Sequence, residues 1–273
     1  MAARDPHRFV NELDRQSLDG LMARLESRAK DIVFASLLDK YIDRLRLPKT
    51  AMVLEVGCGT GAVTRSLAKR EDFHGSVLGV DQSYTFIEAA NRYALYENIN
   101  HRVEFKVADA HALDLPSGTF DAVIAHTLIS HVAQPIEVLR EMARVTKLGG
   151  NVVIFDGDYA SLTYAYPDHH FGHRMDVALA DATFNNPRVM RDLPRLLPEF
   201  GLKIADAWGE AVVEIGSSSY FKSFAETYCS YVIQSGMIPE DSVRAWMTTQ
   251  RQAMENGTFF ASCNYYTYLT RRF

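Results

Sequence analysis

The stretch Val53–Ala68, VLEVGCGTGAVTRSLA, decides the fold. An apolar run from Met52 to Val56 stops at three closely spaced glycines, Gly57, Gly59 and Gly61, and a helix-like segment follows. Strand, tight turn and helix start are therefore expected in that order. Glycine allows positive φ and lets a ligand approach without a Cβ in the way. The free N–H groups at a helix start favour an anionic or polar group. Such a turn is a cradle for a nucleotide-like ligand.

Working outward, strands and helices alternate. Strands are expected at 52–56, 76–80, 102–107, 120–125 and 151–156, with helices at 60–70, 84–97 and 134–146. This alternation implies an α/β fold with a parallel sheet and right-handed crossovers. Ligands then bind at the carboxyl ends of the strands. Upstream, Leu18, Leu21, Met22 and Leu25, then Ile32, Val33, Leu37, Tyr41 and Leu45, recur at helical spacing. They predict two helices before the sheet, ended by Pro48. After Asp156 the rhythm breaks into a Tyr-, His- and Asp-rich stretch over 157–185. A helix over 187–200 closed by Gly201, a strand over 202–215, helical sequence over 217–256 and a strand over 258–270 are expected next.

Composition narrows the functional classes. The chain has 273 residues, 47% of them hydrophobic, which is ample for one large domain. A net charge of −5 without a Lys/Arg run argues against nucleic acid as the partner. The three cysteines, Cys58, Cys229 and Cys263, have no paired or metal-type spacing and suit a reducing compartment. No apolar run approaches the ~20 residues that span a bilayer, and MAARDPHRFVNELDR has no apolar signal core. A cytoplasmic setting with no membrane partner is expected.

Gly57–Ala62 also satisfies the G-x-G-x-x-G/A pattern of NAD-binding folds, and Asp81 ends the next apolar run at the spacing of a ribose-binding acid. Taken alone, the first two elements leave an NAD(P) oxidoreductase open. Glu55 and the tighter E-x-G-x-G-x-G spacing favour another cofactor. Further along come Val107-Ala108-Asp109-Ala110, Phe120-Asp121-Ala122-Val123, His126-Thr127-Leu128 and Leu148-Gly149-Gly150. In this order, over residues 53–156, the series resembles the class I S-adenosylmethionine (SAM) dependent methyltransferases. In the second half, Asp156-Gly157-Asp158-Tyr159 and the helix after Asn186-Pro187 are similar to the ubiquinone/menaquinone-type small-molecule methyltransferases, with domain 11-like methyltransferases among them.

The resemblance implies a Rossmann-like seven-stranded sheet with helices on both faces and the last strand antiparallel. It divides the chain into an N-terminal helical lid (1–48), a SAM-binding core (49–156), and a remainder (157–273) that completes the sheet and adds helical insertions over the acceptor. It implies SAM as cofactor, held by Glu55, Gly57, Cys58, Gly59, Gly61, Asp81, Gln82, Asp109, Ala110, His126 and Thr127. Asp81 would take the ribose hydroxyls, Asp109 and Ala110 the adenine, and His126 and Thr127 would face the sulfonium. Methyl transfer needs an aligned acceptor and, for an acceptor that must lose a proton, a base; histidine is the default. The candidates are His126, His131, His169, His170 and His173, of which His131, His170 and His173 are favoured, with Asp158 as an acid alternative, and Tyr159, Tyr220 and Phe224 as acceptor contacts. His169 and His173 are four apart, but no third ligand stands at motif spacing, so no metal is expected. The expected activity is methylation of a small, aromatic or partly apolar biosynthetic acceptor. A SAM-fold enzyme that no longer methylates, such as a cyclase, is the alternative. The aromatic-rich lid could support a homodimer.

Overall fold

The computed structural model describes residues 5–273. β1 (Met52–Val56), β2 (Ser76–Asp81), β3 (Val103–Val107), β4 (Phe120–His126) and β5 (Thr146–Tyr164) run parallel. β6 (Leu202–Gly216) and β7 (Phe259–Arg272) complete one sheet of order β3-β2-β1-β4-β5-β7-β6. β7 is antiparallel to both of its neighbours, as expected of the last strand.

Alternation along the strands sends side chains to two cores. Val53, Val77, Ile124 and Val153 face one side, and Leu54, Val56, Val123 and Ile154 face the other. The first side is covered by α2 (Ile32–Leu45), α3 (Ala62–Ala68), α6 (His169–Thr183), α8 (Tyr220–Ser235) and α9 (Glu240–Glu255). The second is covered by α5 (Pro135–Val145) and α7 (Val189–Leu196). α4 (Tyr84–Tyr96) closes a smaller cluster with Cys58 and Phe105. Between α1 (Arg15–Lys30) and α2 the chain turns at Asp31, whose carboxylate accepts from Val33 N at 2.9 Å and Phe34 N at 3.3 Å.

Three expectations need correction. β5 does not stop at Asp156; it pairs with β7 as far as Tyr164↔Ala261, past a register shift between Asp158 and Thr163. The 157–185 stretch is thus the end of a strand and then α6, started by Asp168, which accepts from His170 N and Phe171 N. The helical sequence over 217–256 is two helices, because Gly236 takes a left-handed φ of 70° at the end of α8.

Gly61, with φ +75°, sits where a Cβ would come within 2.5 Å of the Phe105 ring and 3.1 Å of Ala90 Cβ. Left-handed strain and overpacking add there, so Gly61→Ala should destabilise by roughly 2–4 kcal/mol in urea unfolding. Gly20→Ala, on α1 with nothing within 4 Å, should be neutral or stabilising by up to about 1 kcal/mol. Equal effects of the two substitutions would contradict this reading.

Candidate active site

A cavity of about 540 Å³ opens at the carboxyl ends of β1, β2 and β4, within the size range of small-molecule sites. Its floor is the glycine turn, pinned by Gly57 N and Cys58 N, which both donate to Val80 O, at 2.8 and 2.9 Å. Gly59 N donates to Asp81 Oδ2 at 2.9 Å, while Asp81 Oδ1 accepts from Ser83 N at 2.9 Å. A Cβ on Gly59 would meet only Leu25 Cδ1, at 3.0 Å, so the turn's backbone faces the cavity rather than the core. Beneath the turn, Glu55 Oε2 accepts from Thr64 N at 2.8 Å and from the Thr64 hydroxyl. Burial pushes the Glu55 carboxyl up to about 8, against the pull of those bonds. Burial also raises the Cys58 thiol, which keeps it protonated and unreactive.

At one end the cavity is bounded by Ala108, Asp109, Ala110 and His111. Asp109 Oδ1 accepts from His111 N at 2.9 Å and lies 2.6 Å from His111 Nδ1. The wall after β4 carries His126, Thr127, Leu128 and His131. Thr127 has φ +54°, a strained conformation for a β-branched residue. It is held by Thr127 N donating to Phe155 O at 2.7 Å and by Arg28 Nη2 donating to Thr127 Oγ1 at 2.8 Å. His126 Nδ1 lies 2.9 Å from the Tyr41 hydroxyl. Burial, then the Arg28 charge, drives the His126 pKa well below its usual value, so this ring is neutral.

The roof comes from the N-terminus. His7, Arg8 and Phe9, then Leu25 and Arg28 of α1, and Phe34 and Leu38 of α2, line the cavity. Gln82 Nε2 donates to His7 O at 2.9 Å and Arg8 O at 3.2 Å, and Asn11 Nδ2 donates to Gln82 O at 3.0 Å. The Thr60 hydroxyl donates to Glu26 of α1 at 2.6 Å, and Glu26 also pairs with Arg65 at 2.6 Å. The roof is therefore fastened to the glycine turn itself. Among the described residues, no carboxylate lies within ion-pair distance of Arg28.

The sequence-predicted cofactor set converges here with one exception. Glu55, Gly57, Cys58, Gly59, Asp81, Gln82, Asp109, Ala110, His126 and Thr127 line the cavity, and so does His131. Gly61 does not; it packs against Phe105. The acceptor-side set largely disperses. His170 and His173 lie exposed on the first turns of α6, because Gly172, Met175, Ala178 and Leu179 form the buried face of that helix. Asp158 is buried on β5 and held by Arg191 Nε at 3.0 Å and Nη2 at 2.8 Å, which ties α7 to the sheet. Tyr159 stacks on Phe184 with ring centroids 3.4 Å apart. Tyr220 and Phe224 are buried behind the cavity, where with Tyr228 they surround the Arg24 guanidinium at 5.0–5.3 Å. These aromatics anchor the roof helix and do not line the cavity.

Sequence reasoning missed the roof residues His7, Arg8, Phe9, Arg28 and Phe34, as well as Asp5 and Tyr41. No local motif marks these positions in the sequence.

Comparison with known proteins bears on the fold. Residues 54–154 match the family model described as "Methyltransferase domain". Residues 54–154 are a methyltransferase domain of the class I fold. The chain is 29% identical over 231 residues to an uncharacterised 37.1 kDa transposon protein of Streptomyces fradiae, covering 82% of this chain and 64% of that one. It is 31% identical over 131 residues to a 27-O-demethylrifamycin SV methyltransferase of Amycolatopsis mediterranei, covering 48% of this chain and 47% of the relative. The chain thus spans under two thirds of the length of these curated relatives. A crystal structure from Bacillus halodurans, of a protein assigned as a methyltransferase, shares the fold with TM-score 0.62 and 16% identity, covering 87% and 99% of the two chains.

The raised Glu55 carboxyl gives a signed test. The folded protein keeps a proton there that the unfolded chain has released, so the contribution of Glu55 is present below the ordinary carboxyl range and is lost as pH rises through about 8. Glu55→Gln lacks this loss. Its stability relative to the native chain, from urea unfolding, should rise between about pH 5 and pH 8; a pH-independent difference would contradict the assignment.

Proposed function

We propose that this cavity binds SAM and that the enzyme methylates a small, partly apolar acceptor of biosynthetic origin. One observation carries the reading: Asp81, Asp109 and an Arg28 without a carboxylate partner among the described residues meet in a single roofed cavity over a glycine turn. SAM matches that donor set, having two ribose hydroxyls, an adenine amino group and a free carboxylate. When bound, it supplies a methyl group on a positively charged sulfur.

The remaining roles belong to the chain. Asp81 retains lone pairs beyond those taken by Gly59 N and Ser83 N and accepts from the ribose hydroxyls. Asp109 and the Ala110 backbone take the adenine edge, and Arg28 takes the carboxylate. A neutral His126 adds no positive charge to a cavity that must hold a sulfonium. Phe9, Leu25, Phe34 and Leu38 give the roof an apolar inner surface, suited to a partly apolar acceptor. The same roof excludes water and holds the acceptor in line, where orientation can lower the barrier by ~7–11 kcal/mol. The named activity of the Amycolatopsis relative is consistent with a natural-product acceptor. Three buried, unpaired cysteines fit a reducing, cytoplasmic setting.

Calorimetry tests the cofactor. S-adenosylhomocysteine should bind and NADH should not; the reverse would overturn the proposal. Asp81→Ala should weaken S-adenosylhomocysteine at least about tenfold, the worth of a charge-assisted hydrogen bond, while circular dichroism stays native. Arg28→Met should weaken S-adenosylhomocysteine but leave 5′-methylthioadenosine, which lacks the carboxylate, unchanged. Turnover products should gain the mass of one methyl group. Products without that gain would mark an enzyme that uses the fold for another reaction, such as a cyclisation.

A further inference from the structure

The N-terminal segment carries a buried carboxylate that the cofactor site does not use. Asp5 Oδ2 lies 2.9 Å and Oδ1 3.1 Å from His131 Nδ1, and the two side chains are only 3% and 9% exposed. The carboxylate is oriented by three backbone donors: His7 N at 2.9 Å and Arg8 N at 3.3 Å to Oδ1, and Asn185 N at 3.2 Å to Oδ2. His131 is fixed from its other sides by the His7 ring, 4.4 Å away, and the Phe184 ring, 5.0 Å away. The ring lines the cavity on the wall after β4, and its Nε2 has no hydrogen-bond partner among the described residues. The segment bearing Asp5 is clasped a few residues later by Gln82, the neighbour of Asp81.

We propose that Asp5 is a positioning residue that makes His131 the base of the acceptor site. A carboxylate can only accept, so Nδ1 of His131 must carry the hydrogen. The unprotonated nitrogen is then Nε2, the one left for a ligand in the cavity. When an acceptor is deprotonated, its X–H bond breaks, the proton bonds to the Nε2 lone pair, and the electron pair stays on X. The resulting imidazolium charge lies against the Asp5 carboxylate. This is the orienting role of a carboxylate behind a catalytic histidine. Here the carboxylate comes from the roof, so the base is complete only when the N-terminal segment is closed over the cavity. The inference rests on the reading of the cavity as a cofactor-and-acceptor site, but its test does not require an identified acceptor.

Substituting Asp5→Asn reverses the hydrogen-bond polarity. Two backbone N–H groups point at Oδ1 and one, Asn185 N, at Oδ2, so the amide oxygen is favoured at Oδ1 and the NH₂ group at the Oδ2 position, the nearer to His131 Nδ1. That group donates to Nδ1, and the hydrogen of the imidazole moves to Nε2. The experiment is ¹⁵N NMR of histidine-labelled protein at about pH 8, where an unperturbed imidazole is neutral, with the His131 signals assigned by their loss in His131→Gln. Spectra are taken with and without S-adenosylhomocysteine. The native chain should show Nδ1 protonated and Nε2 bare, Asp5→Asn the opposite, and the S-adenosylhomocysteine affinity should agree within about threefold between the two. A native His131 with Nε2 protonated overturns the proposal, even if Asp5→Asn does not fold. So does the same tautomer in both proteins. Failure of S-adenosylhomocysteine to bind the native chain would instead overturn the cofactor reading, and the ligand-free spectra would still decide the role of Asp5.

Discussion

The site depends on the anchoring of one turn to the end of the neighbouring strand. Gly57 N and Cys58 N donate to Val80 O, and Gly59 N donates to Asp81. These bonds hold the glycine turn against β2 instead of letting it follow β1 outward. β1 lies between β2 and β4, where the strand order reverses direction, and that reversal opens the crevice at the carboxyl edge of the sheet. The turn forms its floor, the loop after β4 one wall, and Asp109 after β3 its far end. Glu55 secures the turn from below by capping the start of α3 through Thr64.

Charge is graded along the cavity. Glu55, Asp81 and Asp109 lie on the side of the sheet, whereas Arg8, Arg28, His7, His126 and His131 lie on the side of the roof and the β4 loop. Burial tempers both sides: it raises Glu55 and Asp81, and it lowers His7 and His126. The result is a cavity able to hold a ligand that itself carries a cationic sulfur, an anionic carboxylate and neutral hydrogen-bonding groups. Arg28 also links the roof to the β4 loop through the hydroxyl of Thr127, whose backbone is strained.

What could be read from the sequence follows from this geometry. Glu55, Asp81, Asp109 and His126 each stand at or just beyond the end of a strand, and a strand end is marked locally by an apolar run and its stop. Their convergence follows once the strands are parallel. The acceptor side has no such local marker. Asp5 is 126 residues from His131, and Arg28 is 99 residues from Thr127; pairs at such separations leave no periodic trace. Asp158 and the His169–His173 cluster looked chemical because β5 was expected to end at Asp156. Extending the strand to Tyr164 puts Asp158 into a structural pair with Arg191 and the histidines onto the outside of α6. The aromatic stripe of α8 is real, but its occupant is Arg24 of the roof helix.

The central claim is that one roofed cavity holds the cofactor at the glycine turn and presents His131 to the acceptor. A crystal structure with S-adenosylhomocysteine tests it most directly. The account predicts adenine at Asp109 and Ala110, ribose on Asp81, the carboxylate on Arg28, and the sulfur on the side of the cavity walled by His126 and His131, with Asp5 still bonded to Nδ1. A ligand bound elsewhere, or one whose sulfur points away from that wall, would contradict it.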